Sequence, residues 1–226
     1  MYSLKEFKIS IIIYGDKKTI FYLLWRCRGV WEIYSGEIVI QIYKKKITKK
    51  VILTREPGGT LFSEKIRNLM LDKKTNINPL TEFFLLMAAR NEHIISKINF
   101  YLKKNFIIIC DRFFYSTLAY QHYLEGMDKK FIFNIQKKIF NKVHPDITFL
   151  IDLNKKESKV RINKRSKKTN RFDKLSNYHF NKIRNGFIKI SKMYKNKIVL
   201  IEGSKSLSEI QNEINNKTLK ILNARL

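Results

Sequence analysis

The chain has 226 residues, 44% of them hydrophobic and 13% aromatic, and its 46 Lys and Arg against 19 Asp and Glu give a formal charge of +27. That length suits one α/β domain with a real core and excludes two comfortable ones, while the apolar fraction excludes a disordered chain. The longest apolar runs, such as Ile11–Tyr14, Phe83–Ala89 and Phe106–Cys110, fall short of the roughly 20 residues a membrane span needs. Lys5 and Lys8 precede a short apolar run with no small-residue cleavage pattern after it, so no secretory signal is expected. From Lys49 the chain alternates strand-like and helix-like segments. Lys50–Leu53 is a β-branched run ending in the turn Glu56-Pro57-Gly58-Gly59. Leu61–Leu71 and Thr81–Leu102 carry helical spacing, the latter predicted to start at Thr81. Phe106–Cys110 is the continuous apolar run of a buried parallel strand, and it delivers Asp111-Arg112 at its end. Helices are predicted over Ser116–Leu124 and Lys129–Val143, a strand over Ile147–Leu153, a basic helix-like stretch to about Asn170, a helix over Ser176–Tyr194, a strand over Ile198–Ile201, and a helical tail over Ser208–Ile221.

This alternation predicts an α/β fold, a parallel sheet flanked by helices. Ligands of such sheets bind at the carboxyl ends of the strands, so weight falls on Thr54-Arg55-Glu56, Asp111-Arg112 and Asp152. The high charge has two readings. Clustered cations would mean nucleic acid, but these lysines are scattered along the whole chain, alongside many Asn, Ile, Phe and Tyr, residues of A/T-rich codons, which favours compositional drift over a nucleic-acid partner. Two cysteines, Cys27 and Cys110, make no disulfide framework, which points to the cytoplasm.

A carboxylate beside a guanidinium at a strand end, as in Asp111-Arg112, can hold Mg²⁺ and grip phosphate, or be a simple ion pair. Gly58-Gly59 after Arg55 lets a ligand approach the backbone, or is an ordinary turn. Arg90, mid-helix after Ala88 and Ala89, reads in isolation as a solvated side chain, and His93 as structural. The segment holding Arg161, Lys164, Arg165, Lys167, Lys168 and Arg171 is either a solvated basic helix or a lid whose arginines neutralise phosphates.

Together these strings match one pattern. Thr54-Arg55-Glu56-Pro57-Gly58-Gly59-Thr60, Ala88-Ala89-Arg90 with His93, Asp111-Arg112 followed by Ser116-Thr117-Leu118-Ala119-Tyr120-Gln121, His144-Pro145-Asp146 and Leu150-Ile151-Asp152 resemble bacterial thymidylate kinases in letter, order and spacing. The resemblance covers about Val51 to Gly203. It implies a P-loop nucleoside monophosphate kinase-like fold and a homodimer. It also implies transfer of the γ-phosphoryl of Mg·ATP to dTMP, giving dTDP for dTTP synthesis. Arg55 and Arg112 are then expected at the dTMP phosphate with Glu56 beside them. Asp111 is expected at the metal or the reacting oxygens, Arg90 and Ser116 at the thymine edge, and Tyr120 by the deoxyribose. Gln121 would line the same pocket, and Arg161 and Arg165 would lie in a lid at about 155–173. One position departs from the family's pattern: Leu86 stands where an aromatic usually stacks on thymine, which implies weaker nucleotide binding.

The family's G-x-x-x-x-G-K-[ST] loop, whose N–H groups and lysine cradle ATP phosphates, is not in the chain as written. Trp25 to Tyr43 reads WRCRGVWEIYSGEIVIQIY. With permitted codons and a shift of one base, it becomes GGVEGSGKSTQVKLLSRY, a complete phosphate loop. Trp25 before Arg26, and Trp31 before Glu32, can give only Gly in that frame, and Glu32 before Ile33 only Lys or Arg; the rest is permitted, not forced. Residues 1–50 are therefore expected to be an aberrant, frame-shifted N-terminus in place of the loop, with the frame restored near Lys44–Lys50, and 51–226 to be the kinase-like domain. The alternative is a genuine divergent start on a protein that no longer uses ATP. Either way, the written chain is expected to be inactive and to lose its first central strand.

Overall fold

The computed structural model describes residues 21–26, 50–72, 74–140, 143–158 and 176–223. Within them, five parallel strands form one sheet: β1 (Phe21–Arg26), β2 (Val51–Arg55), β3 (Ile107–Asp111), β4 (Ile147–Asp152) and β5 (Ile198–Glu202), in the order β2-β3-β1-β4-β5. β3 is buried at every position and β4 at all but its last, as expected of strands covered on both faces. Because all strands run the same way, their carboxyl ends share one edge, and residues 55, 111, 152 and 202 line it up: Arg55 lies opposite Asp111, and Asp152 opposite Glu202.

β1 corrects one expectation. The written chain does not lose its first central strand: Tyr22 to Arg26 pair with Ile147 to Ile151, and Phe21 with Ile108. A strand needs apolar, β-favouring content and not particular letters. FYLLWR supplies that content.

Among the described residues, helices cover the sheet: α1 (Leu61–Leu71), α2 (Pro79–His93), α3 (Asn99–Lys103), α4 (Phe114–Thr117), α5 (Lys129–Phe140), α6 (Asn177–Met193) and α7 (Leu207–Asn223). The Thr60 side chain accepts from Ser63 N to cap α1. α2 starts two residues earlier than predicted, because the Asn78 side chain accepts from Leu80 N and Pro79 fills the first helical position, where a missing N–H costs nothing. The long helix predicted to Leu102 is interrupted by a π-helical turn over Ile94–Ile98, and a second π segment, Leu118–Leu124, follows α4. α6 approaches that segment closely through Gly186, where a Cβ would meet the Tyr123 ring at 2.8 Å. Ser63, fully buried, ties α1 to α2 by donating to the Ala89 carbonyl at 2.8 Å. The basic stretch containing Arg161, Arg165 and Arg171 lies outside the described residues. Among those described, no helix is long and apolar enough to cross a membrane.

Candidate active site

The ends of β2 and β3 are joined by backbone: the Glu56 N–H donates to the Asp111 carbonyl at 2.8 Å. The chain then turns through Pro57, Gly58 and Gly59, and three side chains from other elements hold that turn. Arg67 of α1 donates to the Pro57 carbonyl at 3.0 Å, Lys97 of the first π turn donates to the Gly59 carbonyl at 2.9 Å, and the Gly59 N–H donates to Glu64 at 2.9 Å. Gly59 has φ +90°, and a Cβ there would meet His93 Nε2 and Thr54 Oγ1 at 2.5 Å, so only glycine fits. The turn is ringed by cations. Burial, and after it the like charges of Arg55 and Arg112, push the Arg67 guanidinium down to about 10 against the pull of Asp111. Burial also lowers Lys97. Arg55, Arg67, Arg112 and Lys97 thus set four formal positive charges against those of Glu64 and Asp111. An excess of that size suits a phosphate dianion.

Behind the turn lies a buried polar network. Arg90 is 1% exposed, so the solvated reading is corrected: its Nε donates to Glu56 Oε2 at 2.5 Å, Nη1 to Thr117 Oγ1 at 2.8 Å and Nη2 to the Phe113 carbonyl at 3.1 Å. The guanidinium also lies over the rings of Phe113 and Phe140, at 5.4 and 5.7 Å. His93 is fully buried, 3.1 Å from the other oxygen of Glu56 and 2.6 Å from the Thr54 hydroxyl. Since a carboxylate can only accept, Nδ1 carries the ring proton, and in the neutral ring Nε2 accepts from Thr54. Glu56, at 1% exposure, is thereby satisfied on both oxygens.

Beside this network, α4 and the π segment after it carry Ser116, Tyr120 and Gln121, and α2 carries Leu86, all of them buried; Gln121 Nε2 donates to Glu82 of α2 at 3.4 Å. Ser116 Oγ and Gln121 Oε1 make no hydrogen bond with the described residues. A buried hydroxyl and amide oxygen left this way cost stability unless a ligand or water supplies the partner. Arg112 sits at φ +65°, a conformation unusual for a side-chain-bearing residue and concentrated at functional sites. Its guanidinium lies 5.3 Å over the Tyr120 ring, which joins the end of β3 to the π segment.

The family profile described as thymidylate kinase matches residues 35–214. The chain belongs to the thymidylate kinase family. It is 38% identical over 203 residues to the thymidylate kinase of onion yellows phytoplasma, covering 88% of this chain and 97% of that protein. To the thymidylate kinase of Acholeplasma laidlawii it is 40% identical over 174 residues, 76% of this chain and 85% of that one. The crystal structure of thymidylate kinase from Ehrlichia chaffeensis superposes with a TM-score of 0.65 at 29% identity, covering 81% of this chain and 89% of that one. The expected fold, a P-loop nucleoside monophosphate kinase with a parallel sheet between helices, is borne out, and the family is one of ATP-dependent kinases.

Within this thymidylate kinase fold, Arg55, Glu56, Asp111 and Arg112 meet at one edge, and Leu86, Arg90, Ser116, Tyr120 and Gln121 are all buried. Arg161 and Arg165 fall outside the described residues. Sequence reasoning missed Glu64, Arg67, Lys97 and Thr117, which orient the turn and Arg90. The Glu64/Arg67 spacing of three, directly after a glycine turn, was the available signal. It also missed a fork between Asp152 and Arg184 of α6, with Nε to Oδ1 at 2.7 Å and Nη2 to Oδ2 at 2.6 Å.

Proposed function

We propose that the chain binds dTMP with its phosphate at Arg55, Arg67 and Arg112 and its base between Leu86 and the Ser116/Gln121 wall. The carrying observation is the pairing of a net-cationic turn with two buried polar atoms that have no partner among the described residues, Ser116 Oγ and Gln121 Oε1. A pyrimidine N3–H offers the donor that the Gln121 oxygen lacks. Tyr120, packed 6.2 Å from Phe187 and under Arg112, leaves an apolar face for a deoxyribose. Calorimetric titration with dTMP tests the reading: binding should weaken about tenfold or more in Arg112→Gln, the loss of a charged hydrogen bond, and should be undetectable for dCMP, whose base presents no N3–H. Equal affinity for dCMP and dTMP would sink it.

With an in-frame phosphate loop, the reaction is γ-phosphoryl transfer from Mg·ATP to dTMP. Asp111 fits the metal, since Mg²⁺ takes one carboxylate and fills its remaining positions with phosphate oxygens and water. No group of three His, Cys, Asp or Glu side chains placed to hold a metal ion occurs among the described residues. Bound Mg·ATP supplies the phosphoryl group and neutralises its charge. Arg55 and Arg112 orient the accepting phosphate, and Asp111 holds its place through the backbone link to Glu56. Arg161 and Arg165 are assigned to the lid at about 155–173, neutralising charge as it develops. The location that goes with this chemistry is the cytoplasm.

Residues 1–50 are read as the frame-shifted counterpart of the family's start. Two observations bear on this. The phytoplasma relative is covered over 97% of its length, which fits a start kept in length. The family match begins at residue 35, which leaves Trp25–Tyr34, the window whose shifted reading is the loop, outside it and Ser35–Lys50 within it. The second reading, a non-catalytic dTMP-binding remnant, is favoured by β1: the written chain keeps its whole sheet, so a pocket can persist without ATP chemistry.

The partner that fits the outer face of α2 is a second copy of this chain. Leu80 and Phe84 are 46% and 49% exposed, and with exposed Ala88 and with Ile95 at 58% they form a stripe at helical spacing on the side away from the core. An isologous helix pair covers such a stripe. Sedimentation should show a dimer for the parent and a monomer for Phe84→Glu at the same micromolar loading; a monomeric parent would dismiss the dimer.

A further inference from the structure

Glu64 stands on the first turn of α1, where a carboxylate also favours the positive end of the helix. Its two oxygens accept from Arg55, at 3.1 Å from Nε and 2.7 Å from Nη2, and Oε1 accepts from the Gly59 N–H as well. The carboxylate passes so close beneath Gly58, itself at φ +133°, that any Cβ there would collide with it. Burial alone would raise this carboxyl, but the Arg55 and Gly59 hydrogen bonds and the charges of Arg55 and Arg67 outweigh it and hold the group below the usual range.

A guanidinium has two forked edges. In Arg55 the Nε–Nη2 edge is taken by Glu64, while Nη1 makes no hydrogen bond with the described residues and the side chain stays 39% exposed. Arg55 ends β2 opposite Asp111, at the carboxyl edge of the sheet where ligands of such folds bind, so the open edge is left for a ligand there. We propose that Glu64 is a positioning residue for the substrate phosphate: by gripping one edge of Arg55 it fixes the other edge towards the phosphate, without touching the substrate. The inference rests on the assignment of Arg55 to the dTMP phosphate. Its physical content is preorganisation. A long, many-rotamer side chain is ordered before the ligand arrives, so the ordering does not weaken binding. Without Glu64, Arg55 would also be driven away by Arg67, whose charge it already opposes.

Glu64→Gln keeps the shape but turns one acceptor into a donor facing Arg55 Nη2. Titrations of the full chain with dTMP and with thymidine separate the possibilities. dTMP binding should weaken about tenfold, the scale of one charge-assisted hydrogen bond, while thymidine binding stays within twofold. In an Arg55→Gln background, adding Glu64→Gln should change dTMP affinity no further, since Glu64 acts through Arg55. A parallel loss for thymidine would make Glu64 merely structural. Unchanged dTMP binding would leave it no role, and tighter binding would make it a competitor of the phosphate; each of these overturns the proposal. If the parent chain binds thymidine but gains nothing from the phosphate, the assignment of Arg55 itself fails.

Discussion

The 226-residue chain is expected to release no ADP from Mg·ATP in the presence of dTMP, and a version carrying GGVEGSGKSTQVKLLSRY in place of Trp25–Ile42 is expected to do so at a rate at least about a thousandfold higher. Phosphoryl transfer asks little covalent chemistry of a protein and a great deal of positioning and charge stabilisation. A glycine-rich loop between a strand and a helix supplies both, through convergent N–H groups and one lysine. Removing even one preorganised donor at a developing oxyanion costs about 10²–10³ in rate, and the written chain lacks the lysine and the glycine spacing together. Replacing these 18 positions leaves Phe21–Leu24 of β1 untouched and puts glycine at its last two positions, Trp25 and Arg26, where the backbone groups that pair with Leu150 and Ile151 are kept. A coupled ADP-release assay on the two proteins decides the matter. Measurable dTMP-dependent turnover by the chain as written would mean that some other segment cradles the ATP phosphates.

Glu56→Gln should be the most damaging single change to stability, lowering the midpoint of thermal unfolding by roughly 10 °C. The substitution removes charge from a site with 1% exposure and leaves the Arg90 guanidinium buried beside a neutral amide, which costs about 3–5 kcal/mol when one partner of a buried pair is lost. His93 loses its anionic acceptor in the same step. Taking both charges out, as Glu56→Gln with Arg90→Met, should recover much of the loss, because an apolar side chain of similar length among Phe113 and Phe140 leaves no unpaired charge. Circular dichroism melts of the three proteins test this. A single mutant melting within about 1 °C of the parent would show that water reaches Arg90.

The strands and the residues at their ends were legible because both follow local rules: continuous apolar runs become buried parallel strands, and polar residues after them reach the ligand edge. Arg90 was not legible by itself. Its neighbours on the helix say nothing of Glu56, 34 positions earlier, which turns a solvated arginine into a core one. Glu64 and Arg67 escaped for the opposite reason: on an amphipathic helix, charges three apart look like an ordinary wet face, and only the turn above them makes them part of a site. The π turns within α2's continuation and after α4 have no compositional signature at all. The lost-strand expectation failed because it tied the strand to particular letters. A strand is tolerant of its letters as a phosphate loop is not, since backbone pairing and apolar faces are satisfied by many sequences and a cradle of N–H groups by few.

The buried Glu56–Arg90 bond joins two parts of the molecule that the proposed function assigns to different ends of dTMP. Glu56 belongs to the turn among the cations, and Arg90 to the helix that carries Leu86. Because the link is dry, short and satisfied on both sides, the two ends cannot drift apart or together independently. With dTMP bound as proposed, the site would work as a gauge of fixed span, accepting a nucleotide for the separation between its base and its phosphate as much as for either group. Lengthening the sugar–phosphate linkage by a single methylene should then be penalised as heavily as removing the phosphate altogether.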